Sequence, residues 1–506
     1  RNQPRTTSKE IETGARCHSR RGALTGDYLY GKPLMDTHLP ALLTEDLYYP
    51  DGQVKEEDYE YGSFIQSRMF HQGVTCSDCH DPHSQKLRAP GNETCLQCHR
   101  TEKYNSETHH FHLLNSAGAD CAACHMPTTT FMVVHERHDH SIRIPRPDLS
   151  AKLATPDACT ACHTDKDAAW ANARLQDWLG PDWSPGWHFG ETLHEAFEDL
   201  PLAGQDLVAV ALSPQVPDIA RATAASLLAN YLDPVTSAAL PKLLADASPM
   251  VRHAALEIVD QLPQEQRWPL AGNLLSDPIR AVRMEAGRVL AVAATAAPTL
   301  AQKLDLDAAV QEYIRAALSN AEHPQSHVNL GLLYQRLGQN EKAESAYLQA
   351  IKLDPAYVTG YVNLADLYRN QEQEDKAGDT LLLARTAVGE HAAVEHALGL
   401  HYVRIRQMPE ALAALALAAR LQPDNARYGY VHAVAQNNNG ETERAIKTLE
   451  GVHVLHPHDR DVLIALVTFN KAMGNMQAAT GYAGKLVEVD PRYGDVERIL
   501  QQLSPP

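Results

Sequence analysis

The stretch Asn329-Leu-Gly-Leu-Leu-Tyr334, followed closely by Leu337-Gly338, carries the period on which the fold of this chain turns. A step of 34 residues takes Leu330 and Tyr334 to Leu364 and Tyr368, and a second step takes them to Leu398 and Tyr402. Ala343, Ala377, Ala411, Ala445 and Ala479 form a series with the same step. Pro355, Pro423, Pro457 and Pro491 close units, and Gly389 stands in the remaining place. Small residues let two helices approach closely, and a proline stops the second helix. Each unit therefore reads as a helix pair that buries its apolar side only against neighbouring units.

These units resemble tetratricopeptide repeats, about five of them within 306–506. The resemblance implies a concave surface for a protein or peptide partner; the plainer alternative is a rigid spacer. Upstream, Pro217-Asp-Ile-Ala-Arg221, Pro249-Met-Val-Arg252 and Ile279-Arg-Ala-Val-Arg283 end on arginines 31 residues apart. Apolar helical stretches flank each one, and the pattern resembles HEAT repeats over 201–305.

The N-terminal third has a different character. Four segments repeat C-x-x-C-H: Cys76-Ser-Asp-Cys79-His80, Cys95-Leu-Gln-Cys98-His99, Cys121-Ala-Ala-Cys124-His125 and Cys159-Thr-Ala-Cys162-His163. Gly14-Ala-Arg-Cys17-His18 is half of a fifth. Two thiols add to the vinyl groups of haem, and the next histidine becomes an iron ligand, so this is the attachment signature of c-type haem. Zinc is the main rival, because fifteen residues separate Cys79 from Cys95, a permitted spacing for a four-cysteine zinc site. A zinc ribbon, however, gains nothing from a histidine after every second cysteine, and neither does a disulfide or thioredoxin-like motif. At the half motif, retention of His18 favours a haem held by one thioether over a lost site or an error at position 14. The expected cofactor is haem c, four by full motif and a fifth at Cys17.

All nine cysteines lie in these motifs, so none remains for a disulfide framework. Haem attachment of this kind implies export, to the periplasm or the cell exterior. The opening Arg1-Asn-Gln-Pro-Arg5 shows no apolar signal stretch, so a mature chain or a fragment of a longer precursor is expected. The net charge of −18, from 63 acidic and 45 basic residues, argues against nucleic-acid binding. No apolar run approaches a membrane span.

Fourteen of the 26 histidines precede residue 164, and nine of these do not follow a motif cysteine. A loop histidine can occupy the second axial position of a haem iron. The chosen distal candidates are His38, His83, His110 or His112, and His140; His71, His135 and His138 are weaker. His188 and His194, beyond the last motif, read as structural. Tyr48, Tyr49, Tyr59, Tyr61 and Phe64 are expected against porphyrin faces, with a protein-only cluster as the alternative. Trp170, Trp178, Trp183 and Trp187 mark residues 166–200 as a junction joining the haem region to the repeats beyond it. The fold class is thus mainly α, a loop-rich multihaem cytochrome domain (1–165), a junction (166–200), and an α-solenoid that is HEAT-like and then tetratricopeptide.

Cys17-His-Ser-Arg-Arg21, Gly73-Val-Thr-Cys-Ser-Asp-Cys-His-Asp-Pro-His83, Cys121-Ala-Ala-Cys-His-Met-Pro127 and His140-Ser-Ile-Arg-Ile-Pro-Arg-Pro-Asp148 resemble the multihaem cytochromes of the hydroxylamine oxidoreductase and ammonia-forming nitrite reductase group. The likeness is strongest to exported multihaem proteins that carry HEAT and tetratricopeptide repeats. Members commonly begin with further haem motifs, which implies that haems or ligands here can come from another polypeptide. Three functions remain open. One is an electron conduit of bis-histidine haems, its partners a redox protein or a neighbouring cytochrome subunit, extended in one version to a homo-oligomer or filament. The second is an oxidoreductase of a small nitrogen or sulfur oxyanion at one five-coordinate haem, with Cys17 as the candidate site and His71, Arg68, Tyr61 or Lys86 assisting. Against it stand the many spare histidines and the absence of a C-x-x-C-K motif. The third is an interaction scaffold, its solenoid recruiting a protein partner.

Overall fold

The computed structural model describes residues 8–489, except 85, 181, 182, 184, 201 and 298. Pro491 and the opening pentapeptide lie outside the described residues. The chain forms two compact units, one of residues 1–198, 203–290 and 298–309, the other of 199–202, 291–297 and 310–506. The motif region and the 31-residue repeats thus share one unit.

In this first unit, short elements alternate with long loops. Helix Lys9–His18 carries Cys17 and His18 at its C-terminal end. Arg21–Ala23 and His38–Pro40 pair as antiparallel strands, and Thr128–Phe131 pairs with His135–His138. Three full motifs lie on helical turns, Cys76–Cys79, Glu93–Leu96 and Cys121–His125. Their starts are set by local chemistry. The Thr75 N–H donates to the Asp78 carboxylate at 2.9 Å, and the Asp120 carboxylate accepts from the Ala122 N–H at 3.0 Å. Each satisfies a backbone donor that a helix start leaves free. The fourth motif follows a turn in which Asp157 accepts from the Thr160 N–H at 3.1 Å.

The 31-residue period has a side-chain cause. Helices Asp218–Leu227, Pro249–Gln261 and Arg280–Leu290 each carry one of the repeating arginines. Arg221 pairs with Asp246, and Arg252 grips Asp277 through two bonds of 2.8 and 3.0 Å. Arg221 and Arg252 each therefore reach an aspartate 25 residues ahead, in the loop before the next such helix, whereas Arg283 turns back to the Asp277 carbonyl at 2.6 Å. Asp277 is only 7% exposed, and a bidentate pair satisfies both groups where water is excluded. The motif region rests on these helices: the Leu43 N–H donates to Thr223 Oγ1 at 3.0 Å, and the Arg280 N–H to Asp36 at 2.9 Å.

One expectation changes here. Tyr48 and Phe64 are 2% and 8% exposed and are covered by protein alone, so they belong to a protein cluster and not to a porphyrin face. Burial, then the neighbouring Asp58, pushes the Tyr48 phenol well above its usual range. Trp170 and Trp178 lie on helix Ala168–Leu179. They pack against the motif region, Trp170 on His163 and Trp178 on Phe111.

In the second unit, helices begin at Pro324, Val358, Ala392, Ala426 and Arg460, alternating with helices that begin at Asn340, Glu374, Met408, Thr442 and Met476. Both series step by 34, giving five pairs among the described residues. The alanine series sits where the pairs touch: Ala343, Ala377, Ala411, Ala445 and Ala479 are all at most 1% exposed. Gly331 shows why small residues are required on the facing helix. A Cβ there would lie 2.3 Å from the ring of Tyr347, which is fully buried. No helix among the described residues is long and apolar enough to cross a membrane.

Candidate haem centres

Three motif histidines are each faced by a second imidazole. His80 and His140 have ring centres 6.4 Å apart, His125 and His109 6.1 Å, and His163 and His112 6.3 Å. The His125–His109 rings are only 15° from parallel.

Hydrogen bonds fix which nitrogen each ring presents. Nδ1 of His125 donates to the Arg143 carbonyl at 2.7 Å, Nδ1 of His140 to the His138 carbonyl at 2.9 Å, and Nδ1 of His112 to the His110 carbonyl at 2.5 Å. Each bond leaves Nε2 unprotonated and available to a metal. Two imidazoles bound to opposite sides of one metal, each through a bond of about 2 Å, hold their ring centres roughly 6 Å apart. The donor chemistry and the spacing therefore fit c-type haem iron between each pair.

The other candidates are placed differently. His99 has Tyr104 edge-on at 5.2 Å, and that phenol also meets His109 at 5.2 Å. His18 Nδ1 meets the Glu60 carboxylate at 3.2 Å. His38 is buried and bonds Thr37 Oγ1 at 2.9 Å. Burial, with the charges of Arg21 and Arg16 beside it, lowers its pKa, so it belongs with the Cys17 helix rather than with the full motifs. The His83 side chain is 96% exposed and its Nδ1 points to Asp81. His110 Nε2 is buried without a hydrogen-bond partner. His138 donates to the Met126 carbonyl at 2.6 Å, and His135 accepts from Arg137 at 3.3 Å. The ring of His71 stacks edge-on with Phe70. His188 caps helix Phe189–Phe197 by accepting from the Gly190 N–H, and burial pushes its pKa down to about 4.

His109 was passed over in favour of its neighbours His110 and His112. Nothing in the local spacing singles it out from them. His109 and His112 are three apart, and a turn of that length can aim two rings at two separate targets. Phe111 makes this possible by adopting a left-handed conformation, φ 55°, at the end of helix Glu107–His110. Gly118 leaves room for the result, since a Cβ there would lie 2.2 Å from the His112 ring.

Successive motifs are neighbours in space. Asn92 clamps the second to the third, donating to the Ala119 carbonyl and accepting from the Cys121 N–H, both at 2.8 Å. The Cys121 thiol donates to Cys95, which pulls the Cys95 pKa down to about 7 and raises that of Cys121. Cys79 is raised by burial and then by the charge of Cys95, and Cys124 by burial and then by that of Cys162. Burial, followed by Asp157, pushes Cys159 up to about 12. The half motif is tied in from the other end, where the Ser77 N–H donates to Glu10 of helix Lys9–His18 at 2.9 Å.

Residues 69–104 match the family described as a doubled CXXCH motif, and residues 324–357 and 346–379 match two tetratricopeptide repeat families. No curated protein matches the chain. Among solved structures, YrrB, titled a TPR protein with an unusual peptide-binding site, is similar at 21% identity over 37% of this chain and 97% of its own, with a TM-score of 0.30. PilW, titled a widely conserved type IV pilus biogenesis factor, is similar at 18% identity over 43% and 98%, with a TM-score of 0.33. A thermophilic TPR protein from Thermus thermophilus is similar at 20% identity over 36% and 98%, with a TM-score of 0.28. The family matches support a multihaem c-type cytochrome that carries tetratricopeptide repeats, modules of protein–protein interaction.

Proposed function

We propose that this chain is an exported electron conduit, working in the periplasm or outside the cell, whose solenoid docks a redox partner or a neighbouring cytochrome subunit. The observation that carries the reading is the set of three facing imidazole pairs. Haem c supplies reversible one-electron chemistry when bound. This chain's residues would attach it by thioether and, at the three paired sites, would hold it between two imidazoles. The proposed ligand pairs are His80 with His140, His125 with His109, and His163 with His112; His99 and His18 are the remaining proximal ligands. Two strong imidazole ligands in a fixed frame also minimise rearrangement when the charge changes. Contact between successive motifs supports transfer in sequence order, since tunnelling weakens exponentially with distance. The HEAT-like helices and assembly into a filament belong to the same proposal.

A second reading, turnover of a small nitrogen or sulfur oxyanion, draws on His18. Its Nδ1 bond to a carboxylate, unlike the carbonyl bond of His125, raises the basicity of the ligand. Low-temperature EPR of the oxidised full chain, with and without nitrite and hydroxylamine, separates the two. The conduit predicts low-spin signals that neither compound changes. A high-spin ferric signal that shifts with either compound would overturn it in favour of the enzyme.

A further inference from the structure

Helix Ala168–Leu179 touches both sides of one haem site. Near its start the ring of Trp170 lies 5.0 Å from that of the motif ligand His163. Near its end Trp178 stacks on Phe111, with ring centres 4.5 Å apart and planes 11° from parallel, and meets His112 edge-on at 6.4 Å. His112 and His163 face each other at 6.3 Å. Eight residues of helix span about 12 Å. The two tryptophans are thus fixed points on one rigid rod, one beside each imidazole of the pair.

The His112 side needs such a support. Its segment, residues 107–112, is a single helical turn followed by Phe111 at φ 55°. A non-glycine residue in that conformation is strained and persists only when its surroundings hold it. The Trp178 stack is that hold, although Trp178 itself is 38% exposed. A face-parallel aromatic pair at this distance adds attraction beyond burial. Gly118 leaves room for the His112 ring. Nothing in a C-x-x-C-H motif supplies this support.

We infer that helix Ala168–Leu179 acts as a caliper for the haem attached at Cys159 and Cys162, with Trp178 the positioning residue that keeps His112 on the iron. The inference rests on the proposed pairing of His112 with His163. Without Trp178, Phe111 relaxes to an ordinary backbone conformation, and the next residue, His112, swings off. Trp178 does not touch iron, so its effect passes through His112 alone.

The test uses carbon monoxide, which binds a reduced haem only when an axial position is open. The full haem-loaded chain is titrated with carbon monoxide after reduction, and haem content is measured on the same samples. Trp178→Ala is expected to bind one more equivalent per chain than the wild type and to show a new high-spin ferric signal; Trp178→Phe, which keeps the stack, is expected to do neither. His112→Ala calibrates the pairing. If His112→Ala gains the equivalent and Trp178→Ala does not, the caliper is overturned and the pairing stands. If His112→Ala gains nothing, the pairing is overturned and the caliper with it. Should Trp178→Ala fail to accumulate with its haems, Phe111→Ala breaks the same stack from the opposite side. It must then show the extra equivalent, and its absence overturns the inference.

Discussion

The imidazole of His109 lies parallel to that of His125, 15° off, with ring centres 6.1 Å apart. Fifteen residues separate them, and along that path run a left-handed turn at Phe111 and the helical turn at Cys121–His125. Replacement of His109 by alanine should open one axial position. The expected outcome is conversion of one low-spin haem to high spin in the EPR spectrum, with the others unchanged. His83→Ala, at a side chain that is almost fully exposed, should leave the spectrum as it was. Equal effects from the two variants would refute the assignment of His109.

Gly118→Ala should mimic loss of His112. The added methyl would fall 2.2 Å from the ring carbon Cδ2 of His112, well inside contact distance, so the ring must move. Overpacking of this kind costs about 1–3 kcal/mol. Absorption and EPR spectra should show partial high-spin character at one haem, and thermal unfolding should shift down by a few degrees. A spectrum identical to wild type would show that the ring has room to spare.

Glu60→Gln should raise the reduction potential of the haem proposed at Cys17. The carboxylate accepts the proton-bearing Nδ1 of His18 at 3.2 Å, pushes electron density onto the ligand and stabilises the oxidised iron. Removing the negative charge removes that preference. Potentiometric titration monitored optically should show one component moving upward while the rest hold position. No movement would mean that Glu60 does not act on a haem at His18.

Arg252→Ala should destabilise the first unit by about 3–5 kcal/mol, because it leaves Asp277 buried and without its bidentate partner. The double variant Arg252→Leu with Asp277→Leu should recover much of the loss, since it leaves no charge unpaired. Chemical unfolding of the three proteins checks this. A loss under about 1 kcal/mol for the single variant, the range of an exposed ion pair, would show that the arginine ladder is decorative.

Acid should weaken the tetratricopeptide unit. His396 has its pKa pushed down to about 4, mainly by burial and then by Arg427. Its folded pKa lies below the unfolded value of about 6.5, so the unfolded chain binds the proton more readily. Stability is therefore full above that unfolded value and falls as pH drops from there toward 4. The ring is partly exposed, so the loss is about 1 kcal/mol, or roughly 2–4 °C in melting temperature. His396→Gln should flatten this part of the pH profile, and an unchanged profile would remove His396 as its cause.

Much of the fold was legible because it is periodic. The alanines from Ala343 to Ala479 recur every 34 residues since each helix pair meets its neighbour in the same way, and the packing leaves room only for a small side chain. The arginines at 221, 252 and 283 were equally visible. Their partners were not, because Asp246 and Asp277 become meaningful only when a loop folds back to meet them. Tyr48 and Phe64 were misjudged for a similar reason. An aromatic run in a cofactor-rich region looks the same whether protein or porphyrin covers it.

The sequence by itself marked the c-type haem attachment motifs and that a helical solenoid comes after them, because the full attachment signature sets two cysteines and a histidine within one turn, and a solenoid writes its repeat into the chain. Only the tertiary structure decided which imidazole faces which. Of three histidines within four residues, His109 turns to His125 and His112 to His163, while His110 points Nε2 into buried space. That choice depends on one left-handed residue at Phe111, a tryptophan stacked on it from a helix some 65 residues later, and a glycine that makes room. Axial ligation from a distant loop is a contact in space, and local spacing carries no record of it.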